Sequence, residues 1–315
     1  MDACAPVDCA GAECEPEIVA TMTDTRFTAL AVDDRSVYLV DDIAKRLYRF
    51  DKARYAAGEE AIESLGSTGE LASDVAVDEA YVYFANVEGI YRFEKPGGEP
   101  PSPGDLPTVF AGGRASRIAL DDQTIYWVRR EPSGDPPTPV DCVFRADKDT
   151  EPVVPSPIYA GLECTDLVLD EEWAYLLVND GKVTGRVPKD GGAALDVMLE
   201  SDTHRAIEVD ETHLYATTNG TQVHRVGKEP PHEALPSLIL QRPSDLVWGR
   251  TAPSTFYFLN DVDGGKIQGT VGDQPFTLAI SALTERPEAI AADAEYVYWT
   301  AHDPALRRAP RCRAK

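Results

Sequence analysis

The sequence predicts an all-β fold, a seven-bladed β-propeller, on three observations. First, an apolar run ending in Asp, followed by an apolar–aromatic run, recurs along the 315 residues. The copies are A-L-A-V-D at 29–33, V-A-V-D at 75–78, I-A-L-D at 118–121, L-V-L-D at 167–170, I-E-V-D at 207–210, L-V-W-G at 246–249 and I-A-A-D at 290–293. Second, the steps between the Asp positions are 45, 43, 49, 40, 39 and 44 residues. Repeats of short strands at periods of ~40–45 residues mark one four-stranded blade each. Third, Pro/Gly clusters punctuate the repeats at equivalent places, 95–98, 189–192 and 228–231, and no segment carries a helical period.

In chain order, residues 1–16 form a Cys-rich segment and 17–315 a single propeller domain, because each blade buries its faces only against its neighbours. Residues Ile18–Met22 form a strand with no blade of its own. The second repeat gives the template: inner strand A at 75–77, B at 81–85, C at 90–93 and outer strand D at 108–111. The last repeat has A at 290–292, B at 296–300 and C at about 305–311, and then no D. The N-terminal strand is expected to supply it, closing the ring and leaving no unpaired seam.

Six cysteines without a C-x-x-C point to disulfides and an oxidising compartment. The chain is read as the mature form of a secreted or cell-surface protein, with or without a lipid anchor, acting as a monomer. Closure would bring Cys312 beside Cys14. Cys142 and Cys164 would share one face, leaving Cys4 with Cys9. The net charge of −24 repels phosphate backbones and excludes nucleic acid as a partner. No apolar stretch reaches the ~18–20 residues of a membrane span.

Val-Tyr-Trp-Thr at 297–300 and Ile-Tyr-Trp at 125–127, each after a strand ending in Asp, resemble the Y-W-T-D and NHL class of propellers. They are similar also to secreted bacterial proteins with V-D-x-x-x-V-Y-W repeats. The resemblance covers about residues 27–311 and implies fold more than function. No repeat has the full Y-W-T-D, so receptor-type ligand binding does not carry over.

Regularity separates frame from function. Asp33, Asp78, Asp121, Asp170, Asp210 and Asp293 recur, as do strand-C arginines Arg49, Arg92, Arg145, Arg186, Arg225 and Arg307. Both series are read as structural. The sixth repeat has Gly249 for Asp and Gln268 for Arg, which suggests that the two series interact.

Asymmetry lies at the channel mouth. Four residues before the repeat Asp stand Ala29, Asp74, Arg117, Asp166, Ala206, Asp245 and Ala289. One earlier come Thr28, Ser73, Ser116, Thr165, Arg205, Ser244 and Glu288, with His204 alongside. Glu208 replaces the Ala or Val found at its strand-A position in every other repeat, and needs a partner such as Arg205 or Arg117.

Asp74, Arg117, Asp166, His204, Arg205, Glu208, Asp245 and Glu288 are therefore the expected site for a protein or small-molecule ligand. The B–C loops on that face are acidic (Asp41, Asp42, Glu88, Asp180, Asp261, Asp263, Asp303), and 260–265 slightly resembles a calcium loop without its full ligand set. Calcium is the one cofactor this leaves open. The B–C loop at 129–141 is the longest and is read as a protrusion over the mouth. No nucleophile, P-loop, zinc or dinucleotide motif is present. Binding is the expected role. The alternative is a metal-assisted hydrolase or lyase at the same mouth, as in the lactonases and streptogramin-type lyases among related propellers.

Overall fold

A computed structural model describes residues 16–95, 107–129, 140–161, 163–200, 204–218, 222–239, 243–248, 255–260, 266–271, 274–280 and 287–311. Its strands form four-stranded antiparallel sheets. Six sheets are built from four consecutive strands each, and are called blades 1–6 here, with strands A to D from the axis outwards. Their inner strands are Phe27–Val32, Ala72–Val77, Arg117–Leu120, Asp166–Leu169, His204–Val209 and Pro243–Trp248.

One further sheet is composite. Glu17–Thr21 pairs with Ala305–Pro310, followed inwards by Tyr296–Ala301 and Pro287–Ala292. The expectation of seven blades is thus corrected to six self-contained blades and a closing sheet assembled from both ends of the described chain. Neighbouring inner strands pack pairwise around a circle, with the closing sheet between blade 6 and blade 1. Glu17 on the N-terminal strand holds Arg308 at 2.7 Å, and Val19 is buried.

Aromatic B-strand residues fill the space between sheets. Tyr83, Ile90 and Phe110 of blade 2 pack with Ile118, Trp127 and Phe144 of blade 3 in one cluster. Trp127, Trp299, Tyr38, Tyr126 and Tyr175 are almost wholly buried. Burying each such ring at a seam contributes ~1.5–3 kcal/mol.

The repeat Asp makes a polar seam. Asp78 Oδ1 accepts from Ala80 N at 2.9 Å and Tyr81 N at 2.8 Å, an Asx turn between strands A and B. Its Oδ2 accepts from Tyr83 Oη at 3.2 Å and from Lys148 Nζ of the next blade at 3.0 Å. The same inter-blade pair recurs as Lys95–Asp33 (2.6 Å), Lys189–Asp121 (3.1 Å), Lys52–Asp293 (2.6 Å) and Lys228–Asp170.

This corrects the expected Asp–Arg interaction. Arg92 instead donates to Lys148 O and Glu151, and stacks over Tyr81. The register also corrects the arginine series. Arg92 stands opposite Tyr83, and the residue opposite Tyr298 is Arg308, not Arg307. In blade 6 Gly269, not Gln268, stands opposite Tyr257.

Strands run longer than the repeats suggested: strand A of blade 2 is Ala72–Val77 and its strand D is Thr108–Gly112. A one-turn helix, Lys52–Ala56, corrects the expectation of no helix. Asp51 caps it by accepting from Ala53 N and Arg54 N, each at 3.0 Å. Five residues are too few to print a helical period on the sequence. Cys142 and Cys164 are joined, with Cα atoms 5.9 Å apart. Cys4, Cys9, Cys14 and Cys312 lie outside the described residues. Among those residues no helix is long and apolar enough to cross a membrane.

Candidate functional site at the channel mouth

The inner strands surround a cavity of about 470 Å³ at the end of the channel where strand A begins. Backbone geometry sets which side chains enter it. Strand A of blade 1 carries one extra residue, Thr28, between Phe27 and Ala29, which pair with consecutive residues of strand B. Ser73 of blade 2 and Glu288 of the closing sheet occupy the same kind of bulge. A bulge re-aims a side chain that regular alternation would place elsewhere. All three residues line the cavity, with Ser116 and Thr165 of blades 3 and 4.

In blades 2 and 4 the next residue of the strand, an Asp, anchors the wall. Asp74 Oδ1 accepts from Val75 N at 3.0 Å, and its Oδ2 accepts from Ile118 N of blade 3 at 2.8 Å. Asp166 repeats the arrangement, with Leu167 N at 3.0 Å and Ile207 N of blade 5 at 2.9 Å. Each carboxylate latches one inner strand to the next. Arg117 lies between them, with Nε 3.3 Å from Asp166 Oδ1 and Nη1 4.0 Å from Asp74 Oδ1. Burial pushes the Asp74 carboxyl above the usual carboxylate range and the Asp166 charge adds to this, against the pull of Arg117 and two N–H donors.

Of the expected site residues, Asp74, Arg117, Asp166, Glu208 and Glu288 line this cavity. Glu208 Oε1 accepts from Val209 N at 3.0 Å. Glu288 Oε1 lies 3.2 Å from His302 Nδ1, on a neighbouring loop. Arg205 is exposed on strand A of blade 5. Asp245 stands opposite Leu259 in blade 6.

His204 is buried away from the cavity lining, between blades 4 and 5. Its Nδ1 meets Thr184 Oγ1 at 3.1 Å and its Nε2 meets His224 Nδ1 at 3.1 Å. Burial, and then the neighbouring His224 ring, lower its pKa to about 4. Nothing in the spacing of 204 and 224 announces their contact, because they belong to different strands of one blade.

The acidic loops are largely committed to local structure. Asp41 is fully buried and accepts from Arg26 N, Ile43 N and Ala44 N. Asp42 pairs with Arg26, and Asp303 with Arg307. Segments 130–139 and 261–265, which hold most of the long loop and the calcium-like turn, lie outside the described residues. Among those residues no three His, Cys, Asp or Glu side chains converge as a metal site.

The chain has the fold of the lyase-type and WD40 propellers. It is similar to virginiamycin B lyase from Staphylococcus aureus, at 14% identity and TM-score 0.72 over 93% of this chain and 98% of that one. A streptogramin B lyase structure aligns at 13% identity and TM-score 0.69, over 93% of this chain and 96% of that one. The WD40 propeller domain of Doa1 aligns at 12% identity and TM-score 0.68, with the same coverages. No protein-family model matches the chain. No curated relative matches it either. Identities at this level establish architecture alone.

Proposed function

We propose that this is an extracytoplasmic binding propeller of the Y-W-T-D-like repeat class, whose channel mouth receives a cationic hydrogen-bond donor such as an alkylammonium or guanidinium group. The observation that carries the reading is a set of acceptors in the cavity wall. Glu288 Oε2, Thr28 Oγ1 and Ser116 Oγ are buried and have no hydrogen-bond partner among the described residues. A buried polar group left unpaired costs ~1–3 kcal/mol, which a ligand donor recovers once a rotation of the side chain turns the oxygen into the cavity. The described lining residues include four carboxylates (Asp74, Asp166, Glu208 and Glu288) against one basic residue, Arg117. The Cys142–Cys164 disulfide supports an oxidising compartment.

Titration calorimetry with n-butylammonium, n-butanol and butyrate tests this. The ammonium should bind and the other two should not. Glu288→Gln should weaken it by about tenfold, the loss of one charge-assisted hydrogen bond. Equal binding of butyrate, or an unchanged Glu288→Gln variant, contradicts the reading. Calcium chloride as a second titrant shows whether a divalent cation competes for the same oxygens.

A second reading rests on the Glu288–His302 pair at 3.2 Å, which has the form of a carboxylate-oriented general base. It makes the protein a lyase or hydrolase at the same mouth. On this reading His302→Ala abolishes turnover of cyclic ester substrates while leaving n-butylammonium affinity unchanged.

A further inference from the structure

Seven large apolar side chains are the most exposed among the described residues, and three of them lie on adjoining loops of the mouth face. Ile18, Val109 and Val197 lie on outer strands, and Val154 in the connection between strands C and D of blade 3. Ile43 (59% exposed) and Val87 (47%) instead tip the B–C loops of blades 1 and 2, and Leu71 (50%) sits on the crossing between those blades.

Hydrogen bonds fix these three loops to one another. Thr68 N donates to Lys45 O at 2.9 Å, joining the crossing to the first loop. Asn86 Nδ2 donates to Thr68 O at 3.1 Å, joining it to the second. Asn86 also caps its own loop, accepting from Glu88 N and Gly89 N, and it is 1% exposed. The apolar side chains thus sit on a braced platform. The platform is continuous with the cavity, because Ser73 of the lining follows Leu71 by two residues.

The charge of the cavity beside the platform, and not that of the loops themselves, selects its occupant. Glu70, Glu88 and Asp42 lie on the same loops and are engaged locally. Lys45 engages Glu70 at 3.2 Å, Arg26 engages Asp42, and Glu88 accepts from the neutral Tyr91 hydroxyl at 3.1 Å. Beside it the cavity wall carries its excess of carboxylates and its unpartnered acceptors.

We infer that the occupant is an extended peptide segment of a partner protein with a Lys or Arg flanked by apolar residues. The basic side chain enters the channel and the flanking residues cover Ile43, Leu71 and Val87. This inference rests on the reading of the channel as a cation site. It adds the class of ligand and the surface that selects it. A charged group alone gives orientation and on-rate, whereas the apolar contacts set the residence time.

The test uses the full chain and fluorescein-labelled Ala-Leu-Lys-Leu-Ala, followed by fluorescence anisotropy. Ala-Leu-Gln-Leu-Ala and Ala-Ser-Lys-Ser-Ala are the controls, and n-butylammonium is the small probe. The parent peptide should bind at least about tenfold more tightly than either control. Ile43→Ser with Leu71→Ser should reduce its affinity to that of the serine peptide and leave n-butylammonium binding unchanged; both side chains are exposed, so folding is spared.

If the two lysine peptides bind equally, or the double variant binds the parent as the wild type does, the docking surface is overturned while the cation site stands. If n-butylammonium also fails to bind, the cation site falls with it.

Discussion

Two kinds of polar residue are built into this protein, and their chemistry separates them. The repeat aspartates are fully engaged. Burial pushes Asp78 up, but Tyr81 N, Lys148 and Ala80 N outweigh it and hold the carboxyl below its ordinary range; Asp33, Asp121 and Asp293 follow the same pattern. A double-mutant cycle on Asp78→Asn and Lys148→Met should give a coupling energy of about 1–3 kcal/mol in urea unfolding, since the pair is mostly shielded from water. The cycle on Asp78→Asn and Arg92→Met should give under ~0.5 kcal/mol.

His204 gives the pH dependence. Its folded pKa is depressed from 6.5 to about 4, so the native state holds it neutral. Stability from the neutral ring is complete above ~6.5 and is lost as the pH falls towards 4, by roughly 3 kcal/mol in all. Urea midpoints at pH 7 and pH 4.5 should fall more steeply for wild type than for His204→Gln. Equal slopes would show that the Thr184–His204–His224 chain does not control the acid limb.

At the scale of the element, the repeat spelled out much of the frame. The A-strand Asp, the B-strand aromatics and the missing D strand of the last repeat each have a physical counterpart in the sheets. Other features left weaker marks. The Tyr five residues after each repeat Asp (Tyr38, Tyr83, Tyr126, Tyr175, Tyr215 and Tyr298) is visible in the sequence and would have given the true partner of the Asp. So would the Lys that follows strand C at 52, 95, 148, 189 and 228. The bulges at Thr28, Ser73 and Glu288 have no such mark, because a bulge is a property of strand pairing, and an added residue looks like ordinary chain. Choosing between the adjacent Arg307 and Arg308 takes the pairing with Tyr298, which is regular there.

The disulfide belongs to this scale. Cys142 on strand C of blade 3 is tied to Cys164 at the entry to blade 4, 22 residues on. Replacing both by Ser should destabilise the chain by about 3 kcal/mol through the freed loop of the unfolded state, read as a lower thermal midpoint without loss of β-sheet circular dichroism.

For the whole molecule, the ring explains why regular residues hold the frame and irregular ones surround the channel. A repeat that closes on itself presents the same strand position from every sheet to one axis, so a single departure meets all the others there. Glu208 among alanines and valines, Arg117 between two aspartates and Glu288 on its bulge converge for that reason. Five of the residues that line the cavity were legible in the sequence, because each stands two, four or five positions before a repeat Asp and breaks the pattern of its row. It did not place His204, whose neighbours are set by the seam between blades 4 and 5.

The central claim is that these residues make one site for a cationic donor. The most direct measurement is a crystal structure of the protein grown with n-butylammonium. The account predicts density for the ammonium in the channel, bonded to Glu288 Oε2 and a neighbouring wall hydroxyl. Density for it only at surface carboxylates, with the channel acceptors bonded to protein groups, would contradict the account.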